Sequence, residues 1–206
     1  MKSPNRLLLI MAVITPLFFT ACASLRSLTT LSQVEFTLDH ISSVKVAGID
    51  LMRIDSPEQL NMYQIARASL ALSREDLPLE LTLHLRSENP QANQIAATLT
   101  RLDWTLILDG RETISGTLHD SVRLPAGDAT DIPLRLRLNM FEFFNEKSAM
   151  DMLDMALAFA AEDGRVPQGL TLKVRPTIDT IFGPMTYGKP ILIEPKPHVE
   201  SESRAF

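Results

Sequence analysis

The sequence predicts a mainly β protein, an antiparallel β-sandwich with two added helices. Hydrophobicity alternates with a period of two over many short runs, turn residues separate the runs, and only two stretches follow helical spacing instead. Leu79, Leu81, Leu83 and Leu85 alternate with Glu80, Thr82, His84 and Arg86, which makes a half-buried strand with one leucine face. Leu102, Trp104, Leu106 and Leu108 repeat the pattern, and Asp109-Gly110 then predicts a tight hairpin into 112–115. Ile132, Leu134, Leu136 and Leu138 form a third run, and Leu170, Leu172 and Val174 a fourth. Val34, Phe36 and Leu38 open the domain, and Ile191 to Ile193 closes it. Turn signals lie at Asn89-Pro90, Asp109-Gly110, Pro125 to Asp128 and Gly183-Pro184. Short strands with one apolar face each are buried most simply by packing sheet on sheet.

The two helices are expected at about 57–72 and 145–163. Ser56-Pro57-Glu58-Gln59 has the form of a capping box with proline at the first helical position. Leu60, Ile65, Ala68 and Leu72 would then face one side. In the second helix Met150, Leu153, Leu157 and Ala160 keep helical spacing, Asp151 and Asp154 point outward, and Gly164 ends it. Met150, Met152 and Met155 give it a soft face, expected to pack on the sandwich edge.

Composition narrows the function. The 206 residues support one domain with its own core, and a hydrophobic share of 45% is too high for a disordered chain. A net charge of −5 excludes the basic footprint that nucleic acid requires. One cysteine, Cys22, can form neither an internal disulfide nor a cysteine-rich zinc site.

The N-terminus explains that cysteine. Lys2 and Arg6 precede an apolar run from Leu7 to Phe19, followed by the small residues Thr20, Ala21, Cys22, Ala23 and Ser24. This is the layout of a secretory signal, and the run is shorter than the roughly 20 residues of a membrane-spanning helix. Phe19-Thr20-Ala21-Cys22 resembles the bacterial lipoprotein lipobox, with Phe in the first place where Leu is more usual. The resemblance implies cleavage before Cys22, a diacylglycerol in thioether linkage on its sulfur and an acyl chain on its new amino group. Ala23, in place of Asp, implies the outer membrane by the same resemblance, with the domain in the periplasm. Two or more chains anchor stably where one does not. Loss of residues 1–21 removes Lys2 and Arg6 but no acid, so the net charge becomes −7. An acidic body needs the lipid, rather than a basic patch, to hold it at a membrane. Residues 1–21 are thus expected as a signal peptide, 22–31 as a tether, 32–194 as the domain and 195–206 as a disordered tail.

A search for catalytic and metal chemistry returns little. Gly183 to Lys189 spells the start of a phosphate loop, but Pro190 stands where the magnesium-binding hydroxyl belongs, and a strand pattern follows. His40, His84, His119 and His198 share no metal spacing, and His84 is expected to be solvated on a polar strand face. Asp103, Asp109, Glu112 and Asp120 are read as scattered surface acids. No nucleophile elbow is present, so no catalytic residue, metal or cofactor is expected.

The order of the pieces resembles the late-embryogenesis-abundant type 2 family, whose module is also called the water-stress and hypersensitive-response domain. The likeness rests on Pro78-Leu79 into an alternating strand, Ser87-Glu88-Asn89-Pro90, the strand into Leu108-Asp109-Gly110, and the loop Leu124-Pro125-Ala126-Gly127. Bacterial lipoprotein members are similar also at Val46-Ala47-Gly48-Ile49 and at Pro176 to Pro184. The resemblance spans about 34–193 and implies a seven-stranded, fibronectin-type-III-like sandwich. It implies a non-enzymatic envelope protein acting by surface interaction, in desiccation or osmotic stress. The two helices exceed a minimal module. They permit an alternative, a periplasmic carrier of lipid or another apolar ligand in a pocket lined by Met150, Leu153, Leu157 and Phe159. The expected partners are the membrane, through Cys22, and an envelope protein or lipid, with no nucleic acid.

Overall fold

The computed structural model describes residues 34–54, 56–93, 96–160, 164–179 and 184–195. In chain order the elements are β1 (Glu35–Val46), β2 (Ile49–Asp50), α1 (Met62–Ser73), β3 (Pro78–Glu88), β4 (Ala97–Leu108), β5 (Arg111–Leu118), β6 (Val122–Leu124) and β7 (Ala129–Asn139). Then come α2 (Met140–Phe144), α3 (Ala149–Phe159), β8 (Leu170–Ile178), β9 (Met185–Thr186) and β10 (Ile191–Ile193). All strand pairs are antiparallel. One sheet has the order β2-β1-β3-β7 and the other β10-β8-β4-β5, with β6 beside β4 and β9 beside β8.

Without the short β2, β6 and β9, seven strands remain. The first, second and fifth of them make one sheet, and the seventh, sixth, third and fourth the other. This is the sandwich arrangement of fibronectin type III domains. The helical segments are insertions: α1 lies between β2 and β3, and α2 with α3 between β7 and β8.

The alternating runs meet between the sheets. Leu79 to Leu85 of β3 and Ile132 to Leu138 of β7 bury every second residue against Leu102, Leu106 and Leu108 of β4 and Leu170, Leu172 and Val174 of β8. Each such side chain contributes about 1.5–3 kcal/mol relative to an exposed one. A register slip by one residue would turn these leucines into water, so the pairing is strongly specified. Asp109 (φ 49°) and Gly110 (φ 75°) form the hairpin between β4 and β5, as their sequence predicts. Ala47 (φ 49°) and Gly48 (φ 73°) make a similar turn between β1 and β2.

Both helices differ from expectation in detail. Ser56-Pro57-Glu58-Gln59 does not open the first one; residues Pro57–Gln59 are a separate 3-10 turn and the Ser56 side chain makes no cap. Leu60 is extended (ψ 128°) and interrupts the helical path. The capping box is one turn later, where Gln64 N donates to Asn61 Oδ1 and Asn61 N donates to Gln64 Oε1, both at 2.9 Å. Leu60, Ala68, Ala71 and Leu72 pack on the core, while Ile65 faces outward.

The second helix starts later than expected, at Ala149, and a separate short helix, α2, lies before the expected start. After α2 the chain restarts with Ser148 capping α3 through Asp151 N at 3.1 Å. The end expected at 163 lies outside the described residues. The buried stripe of α3 is Met152, Ala156 and Phe159, offset from the expected Met150, Leu153 and Leu157; Ala160 is buried as expected. Apolar residues cover this helix except on the side of Asp151 and Asp154, so spacing alone did not select the buried stripe. The helix meets β1, and small Ala156 and bulky Phe159 lie buried on its inward stripe.

Candidate functional site

Cys22, the predicted lipid attachment residue, lies outside the described residues. So do the predicted signal peptide, the tether and all of the tail beyond residue 195.

The residues proposed to line an apolar pocket are not brought together. Met150 is 57% exposed, and Leu153 and Leu157 are half-buried on the flank of α3. Phe159 does border a depression of about 250 Å³, but its other walls are Leu108, Asp109, Lys147, Asp151, Met155 and Pro167. That volume is below the roughly 300–1,000 Å³ of small-molecule sites, and three of these side chains are charged.

The carboxylates do not cluster either. Asp103 accepts hydrogen bonds from Thr117 Oγ1 at 2.7 Å and Arg101 Nε at 2.9 Å. The Thr117 hydroxyl first, and then Arg101, hold its carboxyl below the usual range. Asp109 faces Lys147 at 3.7 Å, Glu112 pairs with Lys173, and Asp120 is exposed between β5 and β6. Among the described residues, no group of three or more His, Cys, Asp or Glu side chains could hold a metal ion.

The outer face of β5-β4-β8 carries a broad depression of about 480 Å³, bounded by Asp103, Thr105, Ser115, Thr117, Lys173 and Arg175. The Thr105 and Ser115 hydroxyls are 2.8 Å apart, Thr117 bonds Asp103, and Lys173 bonds Glu112. A ligand here would displace bonds already made, which suits a hydrated surface contact better than a tight small-molecule site.

The histidines present the least expected geometry. His84 is not simply solvated: its Nε2 meets Ser42 Oγ at 2.8 Å and its Nδ1 meets Asp131 at 2.9 Å. The His40 ring stacks on it, with centroids 4.1 Å apart and planes 12° apart, and His40 Nδ1 meets Asp39 at 2.9 Å. Two bulges in β1, at Leu38/His40 and Ile41/Ser43, re-aim these side chains onto one face. Gly164 (φ 64°) braces the bulged segment, its carbonyl accepting from Ile41 N at 2.7 Å. Local sequence could not show this cluster, because its members come from β1, β3 and β7 and meet only through register.

Serine, histidine and aspartate in this order are the parts of a nucleophilic triad, but the surroundings differ from one. Asp131 is 56% exposed, and Ser42 lies on an open sheet face, whereas a triad works in a site that excludes water and buries its carboxylate. Parallel stacked rings also direct their nitrogen lone pairs side by side, so the two histidines cannot converge on one metal. The arrangement serves as a polar ladder across three strands.

Among the described residues, the outward face of α1 gathers most of the exposed large apolar side chains. Met62 (82% exposed), Tyr63 (71%), Leu70 (50%) and Ile65 (46%) all stand on one short helix. No helix of the described residues is long and apolar enough to cross a membrane.

No family model and no curated protein matches the chain. Solved structures that show similarity include the following three. One is the solution structure of a candidate late embryogenesis abundant protein, with TM-score 0.39 and 15% identity over 89% of this chain and 82% of that one. Another is a crystal structure of a protein from Archaeoglobus fulgidus, with TM-score 0.32 and 14% identity over 77% of this chain and 99% of that one. The third is an X-ray structure of a structural genomics target, with TM-score 0.35 and 12% identity over 84% and 94%. Likeness at this level carries no inference about function.

Proposed function

We propose that the chain is a non-enzymatic, lipid-anchored protein of the bacterial outer membrane. Its domain, of the late-embryogenesis-abundant type 2 kind, acts in the periplasm by surface interaction to protect the envelope under desiccation or osmotic stress. The observation that carries this reading is where the family-like motifs fall. Asn89-Pro90 follows β3 directly, Asp109-Gly110 turns the β4–β5 hairpin, Leu124 to Gly127 leads into β7, and Pro176 to Ile178 ends β8. Each short motif stands at a strand end of a seven-stranded sandwich, in the family's order. Paired acids, open polar faces and shallow, open depressions support surface contact over an enclosed reaction or a carried ligand.

The test is a deletion strain. It should survive drying and osmotic upshift less well than its parent and leak periplasmic protein, with rescue by the intact gene. Equal survival and an equally tight envelope under both stresses would remove the stress role.

A further inference from the structure

We propose that the outward face of α1 is a second membrane contact, seated in the headgroup region of the bilayer that holds Cys22. The proposal rests on the lipid-anchor reading above. At 3.6 residues per turn, Ile65, Ser69, Met62, Ser73, Ala66, Leu70 and Tyr63 share an arc of roughly 160° facing away from the core. That arc holds no charge. The whole helix, MYQIARASLALS, contains no acid, although the chain carries 25. Its one charged residue, Arg67, lies back over Gly48 of the β1–β2 turn. Other charges stand beyond the helix ends, Glu58 before it and Arg74, Glu75 and Asp76 after it. On an acidic protein, such an uncharged arc is a surface that an anionic bilayer does not repel. Met62, Leu70 and Ile65 supply apolar depth, and Tyr63 brings the ring-and-hydroxyl chemistry that favours the interface.

Size selects the bilayer over a second copy of the chain. Twelve residues make a strip about 18 Å long and about 10 Å wide, far below the roughly 800 Å² per partner of a stable complex. A membrane contact needs less, because an existing anchor already concentrates the helix at the surface. The reach also closes. The described domain begins at Val34, at one end of β1, and α1 follows β2 at the other end, 12 residues along. That strand is about 40 Å long, and residues 22–33 can extend at most roughly 40 Å. With β1 lying along the membrane, Cys22 and α1 reach the same plane.

The test uses the full, processed chain in vesicles of phosphatidylethanolamine and phosphatidylglycerol. Its intact mass first reports whether Cys22 carries lipid. Tyr63→Cys, Leu70→Cys and, as control, Leu192→Cys (a position 60% exposed on β10) are labelled with an environment-sensitive fluorophore. Unchanged thermal melts show that the variants fold. The expected result is a blue shift at 63 and 70, with quenching by bromolipids at least threefold stronger than at 192. Lipid on Cys22 with equal quenching at all three positions overturns this inference and leaves the anchor reading standing. A blue shift that appears without vesicles and grows with protein concentration means a second copy, and also overturns it. A chain without lipid overturns both.

Discussion

Asn89 is 2% exposed, and its side-chain Nδ2 donates to the Leu124 carbonyl at 2.9 Å. Its backbone N–H bonds Asp128 O, and its carbonyl accepts from Gly127 N. One residue thereby ties the end of β3 to the loop between β6 and β7. Asn89→Ala leaves a buried carbonyl without that donor and should cost about 1–3 kcal/mol, read as a lower urea midpoint with an unchanged slope. Asn89→Asp should do no better, because a carboxylate has no N–H to give. An unaltered midpoint in both would show that Leu124 O is satisfied another way. The turn at Asn89 was legible in sequence because Asn-Pro acts locally. The bond to Leu124 was not, nor was the Ser42–His84–Asp131 line, since each depends on strands distant in the chain meeting in one register. Two bulges in β1 decide where Ser42 and His40 point, and nothing in their neighbouring residues announces a bulge.

At the scale of elements, period two identified the strands because each has one wet and one dry face. Trp104 illustrates what alternation leaves out. It pairs with Gly116 across β4 and β5, and its ring occupies the space a Gly116 side chain would need; a Cβ there would lie 2.3 Å from Trp104 Cζ2. Gly116→Ala should therefore displace the indole and cost about 1–3 kcal/mol. Because the chain has one tryptophan, intrinsic fluorescence reads both effects, as a shifted native emission and an earlier unfolding transition. Native emission and midpoint equal to the parent's would mean the ring does not depend on the missing side chain. The helices were less legible. The capping box expected at Ser56 is not formed, and the extended Leu60 delays the helix to a box at Asn61 and Gln64 that sequence reasoning missed. Apolar residues cover all of α3 but the side of Asp151 and Asp154, so spacing pointed to Met150, Leu153 and Leu157 while packing buries Met152, Ala156 and Phe159.

For the whole molecule, the sandwich was legible from the number, length and one-sidedness of its strands. Their order in the sheets came only from the family resemblance, because alternation says which side of a strand is dry and not which strand lies beside it. The two helices stand in the β2–β3 and β7–β8 connections, where insertions leave the seven-strand core intact. The α1 surface could not be read as exposed from sequence, since Ile65 has the same chemistry as a core residue and only packing tells them apart. The proposed function draws chiefly on the first 22 residues, and the proposal that joins domain to membrane depends on them. The most direct measurement is therefore metabolic labelling with palmitate and membrane fractionation of the parent and of Cys22→Ser. The account predicts a labelled parent in the outer-membrane fraction, and a Cys22→Ser chain that is unlabelled and either released from membranes or left at precursor size. A Cys22→Ser chain that fractionates and migrates as the parent does would contradict it.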